Sequence, residues 1–111
     1  MPADRVYTKT TVEAARLLGQ LIKLSRKKRK MSEIQLAERA QIGRTTVQKI
    51  EKGDPSINIG LVFEAASVVG VPLFSAENAR ALKSRNELVD EKLVLLSHKP
   101  GRRSRELKDD F

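Results

Sequence analysis

The sequence predicts an all-α fold, because its apolar residues recur at helical spacing and helix-start and helix-stop signals flank these runs. The clearest stretch, residues 32–53 (SEIQLAERAQIGRTTVQKIEKG), is typical of two short helices joined by a tight turn. Ser32 and Gln35 have the spacing of a capping box before the first helix, and Gly53 is placed to stop the second. A chain of 111 residues is long enough for one small domain with appendages.

The first predicted helix follows a flexible N-terminal arm at residues 1–9. Thr10 and Glu13 have the spacing of a second capping box, which predicts that this helix begins near Thr10. Its apolar residues predict a single buried stripe, consisting of Ala14, Leu17, Leu18, Leu21 and Ile22. The helix then runs into five consecutive cations at residues 26–30, where positive charge complements the helix dipole and attracts a polyanion.

The two helices of the central stretch differ in how apolar they are. The first has a narrow apolar face made by Leu36, Ala37 and Ala40. The second starts at Arg44 and has two large inward residues, Val47 and Ile50. A helix held by so few apolar residues suits an element that stands out from its domain and enters a DNA groove.

The second half of the chain predicts a further helix, an extension and a tail. A turn at residues 54–56 precedes a helix that Asn58 can cap. That helix is apolar nearly all round, so it is either central to the core or an interface, and in so short a chain surplus apolar surface favours a dimer contact over a ligand pocket. A charged helical extension at residues 75–97 is either one helix or two with a break at residues 84–87, and residues 98–111 predict a disordered charged tail.

Composition points to double-stranded nucleic acid as the partner. Lysine and arginine outnumber aspartate and glutamate by 22 to 14, which gives a formal net charge of +8. Aromatic residues, which stack on single-stranded bases, are scarce. No apolar run approaches the length of a membrane span and the N-terminus lacks a secretory signal, so we expect no membrane binding. The absence of cysteine fits a cytoplasmic protein and removes disulfides and thiolate metal sites.

The inventory of reactive groups argues against an enzyme. The single histidine, His98, lies beside the proline-glycine start of the tail. The sequence has no glycine-rich phosphate loop and no nucleophile with a nearby base. The adjacent carboxylates of Asp109 and Asp110 lack the further ligands and the rigidity that a metal site needs. We therefore expect no catalytic residue, no cofactor and no metal.

The pieces LAERA, TTV and KIEKG resemble the XRE/Cro/CI type of helix-turn-helix regulator, over roughly residues 14–74. The resemblance implies a compact five-helix, lambda-repressor-like domain at residues 10–74 that binds operator DNA as a dimer at the bacterial nucleoid. Three residues depart from the usual pattern of the family. Glu33 stands where the family usually has Gln, Gln41 where it has Gly, and Gly43 where it has Ser or Thr.

The resemblance also assigns roles to individual residues. It places Gly43, Arg44, Thr45 and Lys49 towards the base edges of the major groove, and Arg44 is suited to guanine O6 and N7. Contacts with the DNA backbone are expected from the helix residues Thr46 and Gln48, from the family position held by Glu33, and from the cations Lys27, Lys28 and Lys30.

Glu33 and Arg26 have expected roles of their own. The glutamine usual at position 33 donates to phosphate, whereas a carboxylate only accepts. Glu33 is therefore interpreted either as an acceptor for cytosine N4 or as a favourable charge in the first turn of its helix. Arg26 resembles an arginine of the family that pairs with the residue equivalent to Glu51, and we expect that ion pair here.

A second resemblance concerns the biological role. The segment GDPSINIGLVFEAASVVGVPLF, with the charged extension and terminal DDF, resembles HipB-type antitoxins encoded beside HipA-type serine/threonine kinase toxins. It implies that Asp109, Asp110 and Phe111 contact the toxin. The alternatives are a stand-alone repressor and a bridging coactivator. A bridging coactivator would not use Arg44 and Lys49, because its helix-turn-helix would contact protein and not base edges.

Overall fold

The computed structural model describes residues 5–97, and these form five α-helices and no β-strand. The helices are α1 (Lys9–Lys28), α2 (Glu33–Ala40), α3 (Arg44–Lys52), α4 (Ile59–Val69) and α5 (Ala79–Ser97). The all-α prediction is confirmed. The chain divides into two compact units, of which the first ends at Leu73 and holds α1 to α4, and the second begins at Phe74 and holds α5.

The core of the first unit is built from one face of each of its four helices. Helix α3 packs against both α1 and α2, and α4 packs against the same two helices. The buried apolar residues of this core are Ile22, Met31, Leu36, Ala37, Ala40, Val47, Ile50, Ala65, Ala66 and Val69. Removing this apolar surface from water is the main driving force for the arrangement.

Helix α1 differs from the prediction at its start. Thr8 is the N-cap, and its hydroxyl oxygen accepts a hydrogen bond from the Thr11 N–H at 3.3 Å. The predicted Thr10–Glu13 capping box is wrong, because Thr10 already lies inside the helix. Lys9, which the sequence placed in the arm, is the first helical residue.

The buried face of α1 is also rotated relative to the predicted stripe. Leu17 is 58% exposed and Leu21 is 41% exposed, whereas Ile22 is fully buried. The predicted stripe is therefore wrong for these two leucines and for Ala14, which is exposed. The buried residues of α1 are Gly19, Ile22 and Arg26. The physical reason is that α1 meets the backbone of α3 at Gly19, where no side chain keeps the two helices apart.

Helices α1 to α4 all end in the same backbone geometry. A residue with positive φ follows each helix, and the next N–H reaches back to a carbonyl oxygen five residues earlier, as in a Schellman motif. The residues with positive φ are Lys30, Gln41, Gly53 and Gly70. The predicted stop at Gly53 is confirmed, and Gln41 is left-handed at the position where the resembled family usually has glycine.

Helix α4 begins at the predicted cap. Asp54 accepts hydrogen bonds from the N–H and the hydroxyl of Ser56, and Asn58 accepts from the Gly60 N–H at 2.7 Å. The helix buries its small residues and leaves Ile59 66% exposed and Leu61 38% exposed.

The extension is one helix. The amide oxygen of Asn78 accepts from the Ala81 N–H at 2.9 Å, and α5 then continues to Ser97 without a break at residues 84–87. The two-helix alternative is therefore wrong. None of the residues of α5 is buried. The residues assigned to the tail, including His98, Asp109, Asp110 and Phe111, lie outside the described residues.

Candidate nucleic-acid interface

Local hydrogen bonds fix the start of α2. The Ser32 hydroxyl accepts from the Gln35 N–H at 3.1 Å, and the Gln35 side chain accepts from the Ser32 N–H at 2.8 Å. This is the predicted capping box, and it satisfies two N–H groups that the helix leaves without partners. Leu36, Ala37 and Ala40 then anchor α2 in the core.

A short turn carries the chain from α2 into α3. Gln41 adopts a left-handed conformation with φ of 57° and ψ of 46°, and the Ile42 N–H donates to the Ala37 carbonyl at 3.0 Å. Gly43 is the N-cap of α3 and provides no side-chain hydrogen bond. The turn therefore sets the direction of α3 through backbone hydrogen bonds and the packing of half-buried Ile42 against the core.

Helix α3 separates its buried and exposed residues clearly. Val47, Ile50 and Glu51 are buried. The residues predicted to contact bases, Gly43, Arg44, Thr45 and Lys49, are all exposed, and Thr46 and Gln48 are half-buried. The helix thus presents polar donors to solvent while two apolar residues hold it in the domain, which is the arrangement that a recognition helix needs.

A buried ion pair fixes α3 against α1. Arg26 Nε donates to Glu51 Oε2 at 2.6 Å, and Nη2 donates to Oε1 at 2.9 Å. The third donor, Nη1, binds the Met31 carbonyl oxygen at 2.8 Å, just before α2. The structure therefore brings Arg26 and Glu51 together in a site where both residues are more than nine-tenths buried. Its bonds to Glu51 raise the pKa of Arg26.

A second contact between these helices was not anticipated from the sequence. A Cβ on Gly19 would run into the carbonyl oxygens of Ile50 and Glu51, so α1 and α3 touch backbone to backbone. Further along α1, the Ser25 hydroxyl donates to the Val69 carbonyl oxygen at the end of α4. A glycine in the middle of a helix, where it costs about 1 kcal/mol relative to alanine, was the available signal for the first of these contacts.

Glu33 has a role that sequence reasoning missed. Its Oε1 accepts from Arg44 Nε at 3.2 Å and from Gln48 Nε2 at 3.0 Å, so the carboxylate of α2 faces two polar side chains of α3. The Gln48 bond, followed by the Arg44 bond, lowers the pKa of Glu33 below its ordinary value. None of the roles predicted for Glu33 included a contact with Arg44.

The cations at the end of α1 are placed as the helix dipole favours. Lys27 and Lys28 lie in the last turn and are exposed. Lys30 is exposed in the left-handed position that ends the helix. Arg26, the first residue of the run, turns inward to Glu51 and so contributes no surface charge.

A comparison with known protein families agrees with this geometry. The family model described as helix-turn-helix matches residues 22–74, which include the end of α1 and all of α2, α3 and α4. The matched segment is similar to a helix-turn-helix domain. The match supports an XRE-family, DNA-binding transcription regulator with a compact, lambda-repressor-like all-α fold. A search of curated proteins and a search of solved structures found no match.

Between residues 5 and 97, no helix is both long enough and apolar enough to cross a membrane. Over the same residues, no group of three or more acidic or histidine side chains could hold a metal ion. The helix-turn-helix family is a family of DNA-binding regulators that are generally not enzymes.

Proposed function

We propose that this protein is a transcriptional repressor that binds double-stranded DNA sequence-specifically, as a dimer on an inverted-repeat operator in the bacterial cytoplasm. The observation that carries the proposal is the exposed polar face of α3, with Arg44, Thr45 and Lys49 in solvent while Val47 and Ile50 are buried. The net charge of +8 supplies the attraction to a polyanion.

The residues of α3 have distinct roles in this function. Arg44 donates two parallel hydrogen bonds to guanine O6 and N7, which discriminates against other bases by about 1–3 kcal/mol. Thr45 offers a methyl group to thymine and a hydroxyl to a base edge, and Lys49 reaches guanine or a phosphate. Gly43 lets the backbone approach the groove closely, because it carries no side chain.

Contacts with phosphate fix the position of the domain without reading sequence. They come from Lys27, Lys28 and Lys30 at the end of α1 and from Thr46 and Gln48 on α3. All three lysines are exposed, which leaves their ammonium groups accessible to a phosphate backbone.

A dimer is expected because one helix-turn-helix buries too little surface for tight specific binding. Two copies on an inverted repeat place their half-sites about 34 Å apart, or a multiple of this spacing. Each unit has exposed apolar side chains of its own that are available for pairing, namely Ile59 and Leu61 on α4 and, separately, Leu88 and Leu93 on α5.

Two matched variants test the DNA-reading function. The full chain selects its preferred sequence from a randomised duplex library, and Arg44→Ala and Lys28→Ala are then measured on that duplex and on mutated duplexes. Each variant removes one exposed cation. We expect Arg44→Ala to relax base preference at one position of each half-site, and Lys28→Ala to weaken all sequences equally and to reduce the salt slope by about 1. Unchanged affinity and unchanged preference for Arg44→Ala would contradict the assignment of α3 as the recognition helix.

The proposal extends to a more specific biological role, that of an antitoxin. The resemblance of the α4 segment and of the charged extension to HipB-type antitoxins supports a protein that represses its own operon and neutralises a HipA-type kinase. In that role Asp109, Asp110 and Phe111 contact the kinase.

A pull-down from the native host compares the full chain with a truncation that ends at Ser97. A serine/threonine kinase that co-purifies with the full chain and is lost on truncation supports the antitoxin role. No kinase with either protein contradicts it and leaves the stand-alone repressor. The third candidate, a bridging coactivator, is disfavoured because Arg44 and Lys49 are exposed on the face of α3 that would then read no DNA.

A further inference from the structure

Glu33 connects α2 to the proposed reading residue of α3. One carboxylate oxygen, Oε1, accepts from both Arg44 Nε and Gln48 Nε2. The side chain of Glu33 is 29% exposed and that of Arg44 is 58% exposed, so the ion pair lies at the rim of the domain. Arg44 therefore has an acceptor within its own domain in the absence of DNA.

The Arg44 atom that Glu33 binds determines which donors of the guanidinium remain available to a base. A guanidinium group is planar and carries five N–H donors in a rigid fork. With Nε bound to the carboxylate, the two terminal nitrogens Nη1 and Nη2 keep their donors for another acceptor pair. Guanine O6 and N7 form such a pair, and they are read best when the donors are already held in place.

We propose that Glu33 is a positioning residue that holds the Arg44 guanidinium by Nε and thereby sharpens its selection of guanine. The inference rests on the proposed function, because it requires Arg44 to read a base. Glu33 itself touches no DNA in this role.

The charge of Glu33 adds a second effect. The bonds from Gln48 and Arg44 and the nearby Arg26 charge lower the pKa of Glu33, so the carboxylate stays ionised at neutral pH. A carboxylate beside Arg44 offsets the attraction of that arginine for any phosphate. Glu33 thus lowers binding to arbitrary DNA while it orders the group that recognises the preferred sequence.

The test measures the full-length protein on two duplexes, the sequence selected from a randomised library and a shuffled sequence of the same length and composition. In Glu33→Ala, we expect discrimination at the base pair read by Arg44 to fall about tenfold, because Arg44 loses its fixed geometry. Affinity for the shuffled duplex should rise about threefold, because one negative charge is removed. Glu33→Gln keeps a neutral acceptor for Arg44, so its loss of discrimination should be about threefold.

Glu38→Gln is the matched control. It removes one exposed carboxylate from the same helix, and the Glu38 side chain has no hydrogen bond among the described residues. We expect this variant to keep the discrimination of the unmodified chain. Thermal unfolding of each variant checks that the domain is folded.

A double-mutant cycle supplies the decisive comparison. In an Arg44→Ala background, Glu33→Ala should cause no further loss of base preference, because the group that it positions is absent. Additive losses would overturn the inference, as would an equal change of affinity on both duplexes. If Arg44→Ala alone left base preference unchanged, the proposed function would fail together with the inference. If Arg44→Ala relaxed base preference but Glu33→Ala left it unchanged, the inference alone would be overturned.

Discussion

Arg26 and Glu51 lie 25 positions apart in the chain and share two hydrogen bonds inside the protein, where Arg26 is 6% exposed and Glu51 is 7% exposed. The third donor of the guanidinium binds the Met31 carbonyl oxygen. One side chain thus holds the end of α1, the approach to α2 and the inner face of α3. This contact fixes the angle at which α3 leaves the domain.

The ion pair predicts an asymmetric response to mutation. Glu51→Ala leaves a buried guanidinium without its partner and should lower the free energy of unfolding by about 3–5 kcal/mol. Replacing both groups, in Arg26→Met with Glu51→Leu, should cost much less, because no charge is left unpaired in the core. Urea unfolding of the two variants checks this. A loss below about 1 kcal/mol for Glu51→Ala would show that water reaches the pair in solution.

The packing at Gly19 predicts that an alanine there lowers stability, which is the opposite of the effect expected from helix propensity. Propensity alone would make Gly19→Ala stabilising by about 1 kcal/mol. We expect a loss of about 3 kcal/mol or more, because the added methyl group meets the carbonyl oxygens of Ile50 and Glu51 and must push α3 away from α1.

Chemical denaturation measures this effect, with Gln20→Ala, at an exposed position of the same helix, as the control. The control should be neutral or slightly stabilising. A stabilised Gly19→Ala would mean that the two helices lie further apart than the structure places them.

Gln41 predicts a stabilising substitution. It holds a left-handed conformation that costs a residue with a Cβ about 1 kcal/mol. Gln41→Gly relieves this strain and should raise the free energy of unfolding by about 0.5–1 kcal/mol. The same exchange in the middle of α1, Gln20→Gly, should lower it by about 1 kcal/mol. Calorimetric melting temperatures that move in the same direction for both variants would refute the prediction.

Glu33 predicts a loss of stability in acid. Its pKa is lowered in the folded protein from the ordinary value of 4.5, so its contribution is complete above that value and disappears as the pH falls through the folded pKa. Asp54, whose pKa is lowered by its bonds from Ser56, acts in the same direction.

Urea unfolding between about pH 6 and about pH 3 tests whether stability falls on acidification as expected. The unmodified chain should lose more stability on acidification than Glu33→Gln, which has no proton to take up at position 33. Glu38→Gln serves as the control and should follow the unmodified chain. Parallel pH profiles for Glu33→Gln and the unmodified chain would show that the bonds to Arg44 and Gln48 do not favour the charged form.

What the sequence could predict depended on the distance between interacting residues along the chain. The Ser32–Gln35 capping box and the stop at Gly53 were predictable because both involve neighbours within one helical turn. The buried face of α1 was not, because it is set by the backbone of α3 at Gly19, some thirty positions from its contact.

The same limit applied to the site. Exposure of Arg44 and Lys49 followed from the spacing of Val47 and Ile50, the two large apolar residues of the same helix. Arg44, one partner of Glu33, lies 11 positions away on another helix. The periodicity of apolar residues along a helix does not indicate such a contact. The pairing of Arg26 with Glu51 was reached through a family resemblance, since nothing in the spacing of the two residues indicates it.

The contact between Glu33 and Arg44 also limits how this domain can change its preferred DNA. Exchanging Arg44 for an uncharged side chain that reads adenine would leave the Glu33 carboxylate with only Gln48 as a partner, at the rim that faces phosphates in the proposed complex. That variant would gain a new base contact and lose attraction to the DNA backbone at the same time. We therefore expect relatives with altered specificity to differ at positions 33 and 44 together, and an engineered change of operator to need both substitutions.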